Sequence, residues 1–324
     1  MTAKKILVTG GAGYIGSHMV LKLLEQGFDV VVYDREALLL STVKGLSFVQ
    51  ADLADSESLK KVFSQHKFSA VMHFAGSIQV GESIINPALY YQNNLANSLN
   101  LLDTMLEYGV DKFIFSSTAA IFGEPQYTPL DEQHLQQAIN PYGQSKLMLE
   151  RVLVDYAKAY GLRSICLRYF NAAGADLLGR TGERHEPETH LIPLILQAAL
   201  GKRASIKVFG NDYPTPDGTC LRDYIHVTDL CAAHALALQR LLSGAKSSCY
   251  NLGNGAGFSV QQVVEVARQV TGKNIKVEYV ARRDGDAAIL VADSSLAKKE
   301  LGWEPEYSEL SQIIEHAWQW EQSK

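Results

Sequence analysis

Short apolar runs alternate with longer amphipathic stretches through the first half of the chain. Lys5–Thr9, Asp29–Asp34, Leu46–Ala51, Ala70–Phe74, Lys112–Ser116 and Arg163–Tyr169 are rich in β-branched and aromatic side chains. Several are apolar almost throughout, as strands covered on both faces must be. Between them the apolar positions recur with helical spacing. Ile15, Met19, Val20, Leu23 and Leu24 share one face, and Gly27 stands where such a helix stops. Ser56–Gln65, Ala88–Tyr108 and Tyr142–Tyr160 follow the same logic. Strand–helix alternation implies right-handed crossovers, so the pattern predicts a doubly wound α/β fold around a parallel sheet.

The second half is less regular. Gly, Asn, Asp and Pro cluster in Gly174–Glu188 and Gly210–Gly218, which read as loops. Helical spacing returns at Leu191–Leu200, Asp229–Leu242, Val260–Val270 and Ser311–Glu321, with short strands expected at Ile206–Phe209 and Ile275–Tyr279. A domain boundary is expected near residue 170. Residues 1–170 form one domain, and 171–324 mainly a smaller α/β lobe that returns some segments to the first.

Composition narrows the classes of function. The 324 residues are 47% hydrophobic and 20% charged, enough apolar surface for a core. A net charge of −5 and a pI near 6.0 argue against nucleic acid as partner, because a phosphate backbone requires a basic face. Cys166, Cys220, Cys231 and Cys249 are widely spaced with no Cys-x-x-Cys. That fits reduced thiols in a cytoplasmic compartment better than a disulfide framework or zinc site. No apolar run approaches the ~18 residues a membrane span needs. Ile6-Leu7-Val8, behind Lys4 and Lys5, is cut by Gly10 and Gly11 too early for a signal-peptide core.

The chemistry begins at Thr9-Gly10-Gly11-Ala12-Gly13-Tyr14-Ile15-Gly16, which follows the first strand and opens the first helix. Glycines at Gly10, Gly13 and Gly16 let the backbone turn tightly and approach a pyrophosphate, while the helix N-terminus supplies N–H donors. Asp34 ends the second strand, 18 residues after Gly16. A carboxylate there accepts from ribose hydroxyls and repels a 2′-phosphate, favouring NAD over NADP. Asp52 and Leu53, just after the third strand, suit an adenine contact; a loop cap is the alternative for Asp52.

A second motif opens a later helix. Tyr142 and Lys146 stand four apart, with Asn140 placed to cap the helix and Pro141 in its first turn. A tyrosine of ordinary pKa near 10 needs roughly 4 kcal/mol to ionise near neutrality. One cation about 5 Å away at an effective dielectric of ~20 supplies roughly 3 kcal/mol of that. With an oxidised nicotinamide adding to Lys146, Tyr142 is a candidate base at neutral pH; a surface Tyr/Lys pair is the alternative. Ser116-Ser117-Thr118 ends the fifth strand and, by the carboxyl-end rule, faces the same crevice.

Together these motifs resemble the extended short-chain dehydrogenase/reductases, with a Rossmann-like first domain. The resemblance is nearest to their UDP-hexose 4-epimerase branch. It runs through Val8–His18, His73–Gly76, Val80–Ser83, Tyr90–Asn94, Ser116–Gly123, Asn140–Lys146 and Arg168–Gly174. It continues in Phe209–Thr215, Arg222–Val227, Arg282–Asp286 and Leu301–Trp303. The resemblance implies a retained NAD and interconversion of UDP-glucose and UDP-galactose. Tyr142 would take the proton from the sugar O4 as hydride leaves C4, Thr118 would relay it, and Lys146 would hold the nicotinamide ribose. Tyr14 and Ile15 match contacts to the dinucleotide phosphates. Phe74 and Asn93 match positions lining the nicotinamide half, and Ala75, Gly76, Ser116 and Tyr169 fall in the same matched stretches. For the UDP-sugar, Arg222 and Arg283 match diphosphate contacts, Asp286 a ribose contact, Phe209 a neighbour of uracil, and Asn171 a phosphate or hexose contact. His190 stands where an asparagine often touches the nucleotide, beside a retained Leu191. Leu290 matches the wall of the sugar C2 pocket. Its size lies between the tyrosine that blocks N-acetyl sugars and the small residue that admits them, which implies weak action on UDP-GlcNAc. The helices around Ala88–Tyr108 and Tyr142–Tyr160 match those that pair in a homodimer. After Asp34 the chain departs from the family's usual Asn-Leu-Ser type segment, reading Arg35-Glu36-Ala37.

Other readings compete. Nucleotide-sugar 4,6-dehydratases need an Asp-Glu pair where Ala119-Ala120 follows Thr118. A UDP-glucuronate 4-epimerase or decarboxylase needs only a changed C6 pocket. A non-catalytic dinucleotide sensor would typically lack Tyr142 or Lys146. For Arg222 the plain alternative is an ion pair with Asp223, and for His226 a structural hydrogen bond. His185-Glu186-Pro187-Glu188-Thr189-His190 faintly resembles a zinc-protease motif. Its imidazoles stand five apart with Pro187 between them, so one helical face cannot present both, and no metal is expected.

Overall fold

The computed structural model of the protein describes residues 3–40, 44–283 and 286–324; Asp284 and Gly285 of the matched Arg282–Asp286 stretch lie outside them. The apolar runs become strands because both of their faces find cover. In β1 (Lys5–Thr9) Ile6, Leu7 and Val8 are all fully buried, so neither face meets water. Helix α1 (Tyr14–Glu25) follows, then β2 (Asp29–Asp34), β3 (Leu46–Gln50), α2 (Ser56–Gln65) and β4 (Ala70–His73). Next come α3 (Val80–Ile85), α4 (Pro87–Tyr90), α5 (Asn97–Glu107), β5 (Lys112–Ser116), α6 (Pro141–Tyr160) and β6 (Arg163–Tyr169). The remaining elements are β7 (Asn171–Ala173), α7 (Leu191–Ala199), β8 (Ile206–Phe209), β9 (Leu221–His226), α8 (Val227–Leu242), β10 (Ser248–Leu252) and β11 (Gly257–Ser259). The chain ends with α9 (Val260–Thr271), β12 (Val277–Val280), β13 (Ile289–Leu290), α10 (Ser295–Leu301) and α11 (Leu310–Ser323).

Seven strands form the central sheet in the order β10-β6-β5-β4-β1-β2-β3. The pairs from β3 through β6 are parallel, with Val8 facing Val32 on one side and Met72 on the other. The expected doubly wound sheet is therefore present. The chain steps outward from β1 to β3, then returns to β4 on the other side of β1. That reversal leaves a crevice at the carboxyl ends of β1 and β4, where Thr9 and His73 lie. Several elements differ from the sequence pattern. β10 was not expected, nor were β7, β11, β13, α3 and α10, and Ala88–Tyr108 is not one regular helix: between α4 and α5 the segment Tyr91–Ala96 is a π-helical turn. Hydrophobic spacing registers which residues are buried and is nearly blind to one extra residue per turn.

The chain divides into two compact units: Met1–Gly123, Gln136–Arg168 and Cys231–Tyr250, and Glu124–Leu135, Tyr169–Leu230 and Asn251–Lys324. In the first, Leu7, Val31, Phe113 and Phe115 on the sheet pack with Leu101 of α5 and Leu149 of α6. In the second, β9 pairs antiparallel with β11 and parallel with β7 and β13, and β8 pairs with β12. Its core joins Ile195, Val263 and Ile313 from α7, α9 and α11.

Helix α6 carries the Tyr142/Lys146 motif and is fixed at both ends and in the middle. Asn140 caps it by accepting the Gly143 N–H at 2.8 Å, Pro141 occupies the first turn, and Gly161 closes it in the left-handed conformation. Midway, Glu150 makes a buried pair with Arg168 of β6 at 2.5 Å and accepts the Ser117 hydroxyl at 2.5 Å. Breaking such a pair from one side strands a buried charge. Glu150→Ala is expected to cost about 3–5 kcal/mol in urea denaturation, and Glu150→Leu combined with Arg168→Met much less. Equal losses from the two variants would contradict this account.

Candidate active site

At the carboxyl end of β1 the backbone turns where no side chain fits. Gly10 has φ +74°, and a Cβ there would lie 2.4 Å from the Ala75 nitrogen. A Cβ at Gly16 would lie 2.0 Å from the Gly10 oxygen. Gly13 is the N-cap of α1, and no side chain caps that end. Tyr14 and Ile15 open the helix, Tyr14 buried and Ile15 half-buried. Asp34 closes the loop from β2: one carboxylate oxygen accepts the Ala12 N–H at 2.9 Å and the other the Glu36 N–H at 3.0 Å. Burial pushes the Asp34 carboxyl above its ordinary value, partly offset by those two N–H bonds. A glycine cradle, an uncapped helix start and an adjacent carboxylate together fit a dinucleotide. Asp52 takes the loop-cap role, accepting the Ala54 N–H at 2.9 Å, while Leu53 is buried in the core.

The far wall of the crevice comes from β4. His73 is fully buried between the Thr9 hydroxyl (2.7 Å) and the Ser98 hydroxyl (2.9 Å). Ser98 donates its own proton to the Asn94 carbonyl oxygen, so His73 must donate from Nε2 and accept at Nδ1. Burial holds its pKa down at about 3, and the imidazole is a neutral strut. Phe74, Ala75 and Gly76 follow; a Cβ at Gly76 would meet Asn94 Oδ1 at 3.0 Å and Lys146 Nζ at 3.4 Å. The π-helical turn supplies Asn93, which donates to the Ser77 hydroxyl at 2.9 Å. It also supplies Asn94, which the sequence reading did not single out. Asn94 accepts the Ser77 N–H at 2.7 Å and donates to Ser145 of α6 at 3.1 Å. Its only signal in the sequence is a polar residue at a position with the spacing of the buried face.

Thr118 stands beside Tyr142, and Lys146 follows one turn later on α6. The Thr118 oxygen accepts the Ala120 N–H at 3.1 Å, and its hydroxyl lies near enough to the Tyr142 phenol to lower its pKa. With the threonine oxygen engaged by an N–H, its proton is the part available to the phenol, and that favours the phenolate. Lys146 is buried and donates to the Ser116 carbonyl oxygen at 3.1 Å, 5.0 Å from the centre of the Phe115 ring. Burial lowers its pKa to about 8. The arithmetic that had Lys146 pulling the phenol down is not met in the structure. Burial raises Tyr142, and the hydrogen bond from Thr118 lowers it. Of the hydroxyl triplet, Ser117 serves the Glu150/Arg168 pair instead. Tyr169 ends β6.

The second unit holds the other singled-out residues. Arg222 on β9 donates to the carbonyl oxygens of Leu221 (2.9 Å) and Ala287 (2.8 Å) and pairs with Asp286 at 3.3 Å. Its partner is thus Asp286 and not Asp223. Asp223 is fully buried and accepts N–H groups of Asn254, Gly255 and Ala292, with burial lifting its pKa to about 6. Leu290 on β13 lies in register with Arg222. The Arg283 guanidinium stacks on Phe209, 3.7 Å from the ring centre. Asn171 on β7 donates to the Asp223 carbonyl oxygen at 2.9 Å. His190 and Leu191 stand at the start of α7, with the His190 imidazole against Glu183 and Glu188. His226 has the structural role expected of it: Nδ1 accepts the Thr228 N–H at 3.1 Å and Nε2 meets His316 at 3.0 Å.

Residues 6–253 match the NAD dependent epimerase/dehydratase family. The chain belongs to this family. It is 51% identical over 316 residues to a UDP-glucose 4-epimerase of Halalkalibacterium halodurans, covering 97% of this chain and 95% of that one. The crystal structure of UDP-glucose 4-epimerase from Brucella ovis in complex with NAD superposes with a TM-score of 0.93 at 45% identity, covering 98% of each chain. That of Stenotrophomonas maltophila with bound NAD and formylated UDP-arabinopyranose also reaches 0.93, at 39% identity over 99% of this chain and 98% of that one. As an epimerase/dehydratase family member the protein uses NAD. Among its described helices none is long and apolar enough to cross a membrane.

The Thr118 contact generates a signed pH effect. Thr118→Val removes a hydrogen bond that favours the phenolate, so the Tyr142 pKa rises further. The limb of the kcat/KM profile that reports phenol ionisation is expected to move up by about one to two pH units, the equivalent of roughly 1.5–3 kcal/mol. A profile unchanged from wild type would rule the contact out.

Proposed function

We propose that the protein interconverts UDP-glucose and UDP-galactose by oxidation and re-reduction at the hexose C4. The observation that carries this reading is the Thr118–Tyr142 hydroxyl pair with Lys146 on the next turn, in a chain 51% identical from end to end to a UDP-glucose 4-epimerase. Bound NAD supplies a reversible hydride acceptor. Tyr142 takes the proton from the C4 hydroxyl and later returns it, with Thr118 steadying the phenolate and sharing the sugar O4. Lys146 holds the cofactor ribose. Tyr14, Ile15 and Gly16 present N–H groups to the dinucleotide phosphates, and Asp34 accepts from the adenosine ribose. Phe74, Ala75, Gly76, Asn93, Ser116 and Tyr169 line the nicotinamide half; Asp52 and Leu53 border the adenine.

The second unit binds the UDP moiety. Arg222 and Arg283 face the diphosphate, and both are held from within: one by two carbonyls and Asp286, the other by the Phe209 ring. Guanidinium forks suit phosphate oxygens. Asp286 accepts from the uridine ribose, Phe209 flanks uracil, and Asn171, His190 and Leu191 complete the contacts. Leu290 narrows the C2 pocket, so UDP-GlcNAc turns over slowly. Ala119 and Ala120 carry no acid beside Thr118, which disfavours a dehydratase.

The protein works as a homodimer through α5 and α6, the latter leaving Val154 52% and Tyr160 62% exposed. Its four cysteines are free thiols, in keeping with a reducing cytoplasm.

Purified protein given UDP-galactose and no added nucleotide is expected to form UDP-glucose, followed by NMR, and to convert UDP-GlcNAc more slowly. Tyr142→Phe should lower kcat at least about 100-fold while binding NAD. Turnover confined to UDP-glucuronate, or a wild-type rate in the phenylalanine variant, would overturn the reading. Sedimentation should show a dimer that Val154→Glu dissociates; a monomeric wild-type chain would exclude this interface.

A further inference from the structure

The loop ahead of α7 gathers four side chains into a cluster with its own chemistry. Glu183, His185, Glu188 and His190 each offer one ligand atom, and these atoms all lie within 4.8 Å of one another. The sequence argument against a metal here assumed a helix, in which residues five apart face different ways. The segment is an irregular loop, and both imidazoles turn Nδ1 toward the carboxylates. His190 Nδ1 is 2.6 Å from Glu183 Oε1 and 3.4 Å from Glu188 Oε1. His185 Nδ1 is 3.1 Å and 3.9 Å from the same two oxygens. Ligands held about 2.0–2.1 Å from a tetrahedral ion stand about 3.3–3.4 Å apart, and the four distances bracket that edge.

Charge and support point the same way. Glu183 and Glu188 are only 5% and 9% exposed. Two buried carboxylates carry a charge of −2, which one divalent cation cancels when both imidazoles bind it as neutral ligands. The His190 Nδ1 atom is itself buried, 2.6 Å from Glu183 Oε1. The Glu188 carboxylate is aimed by the N–H groups of Thr189 (2.8 Å) and His190 (2.9 Å). The Glu183 carbonyl oxygen accepts the Trp320 indole N–H at 3.0 Å. Gly182 lies so close to Trp320 that a Cβ would come within 2.5 Å of the ring, which ties the loop to α11. Fixed outer partners of this kind orient metal ligands.

We infer that Glu183, His185, Glu188 and His190 bind one divalent transition-metal ion of the Zn²⁺ type in a closed four-coordinate site. Two imidazoles select such an ion over Mg²⁺ or Ca²⁺, which take oxygen ligands. Four protein ligands leave no open position, so the ion clasps the loop to the start of α7 and takes no part in the chemistry.

The full chain, stripped with a chelator, is titrated with Zn²⁺ and separately with Co²⁺. One ion per chain is expected, with the visible absorption of tetrahedral Co²⁺ and no thiolate charge-transfer bands. The unfolding midpoint should rise by about 5 °C at a hundredfold excess over Kd. His185→Ala and Glu183→Gln should each weaken binding at least about ten-fold while keeping the circular dichroism of the parent. No stoichiometric binding, an octahedral Co²⁺ spectrum, or thiolate bands with unchanged affinity in the variants would each overturn the site. If a variant does not fold, the Co²⁺ spectrum of the parent chain decides alone.

Discussion

Backbone meets backbone where the strand order reverses, and the first unit is organised around that approach. Gly10 leaves β1 against Phe74 and Ala75 leaving β4, with no room for a methyl group. Because β1 and β4 are neighbours whose chains then diverge, a crevice opens at their carboxyl ends. A dinucleotide can lie there only if N–H groups reach its phosphates directly, so glycine is required at Gly10 and Gly16 on steric grounds. Asp34 and Asn94 then lock the two walls through backbone N–H groups of Ala12 and Ser77.

Burial is the second organising force, and it acts on both halves of the Tyr142/Lys146 motif. It penalises charge on either group, raising the phenol and lowering the ammonium to about 8. Both groups are thereby biased toward their neutral forms, and their proton affinities, ordinarily close, move apart. The scaffold that holds them apart from solvent includes a full charge pair, Glu150 with Arg168. Such a pair is a weak source of stability but a strong constraint on geometry, since neither partner tolerates the loss of the other.

The second unit uses a different vocabulary. Its arginines spend part of their donor capacity on their own chain, Arg222 on two carbonyls and Arg283 on the face of Phe209. A guanidinium held this way loses little further freedom when it meets a phosphate. The Glu183–His190 loop shows the same economy, with carboxylates aimed by N–H groups and the backbone tied to Trp320.

The chain's own pattern determined the strands β1, β2, β5 and β6, the cap and stop of α6, the glycine turn and the place of Tyr142 and Lys146 on the first turns of α6. Each of these rests on contacts a few residues apart or on burial of both strand faces, which a run of side chains records directly. Tertiary structure alone decided the rest. β10 joins the sheet next to β6 from some eighty residues away. The π-helical turn brings Asn94 to Ser77, Lys146 settles on the Ser116 carbonyl, and Arg222 chooses Asp286 over its neighbour Asp223. The four-ligand loop was hidden for the same reason: spacing predicts which residues meet only once the local conformation is known, and an irregular loop has no period to read.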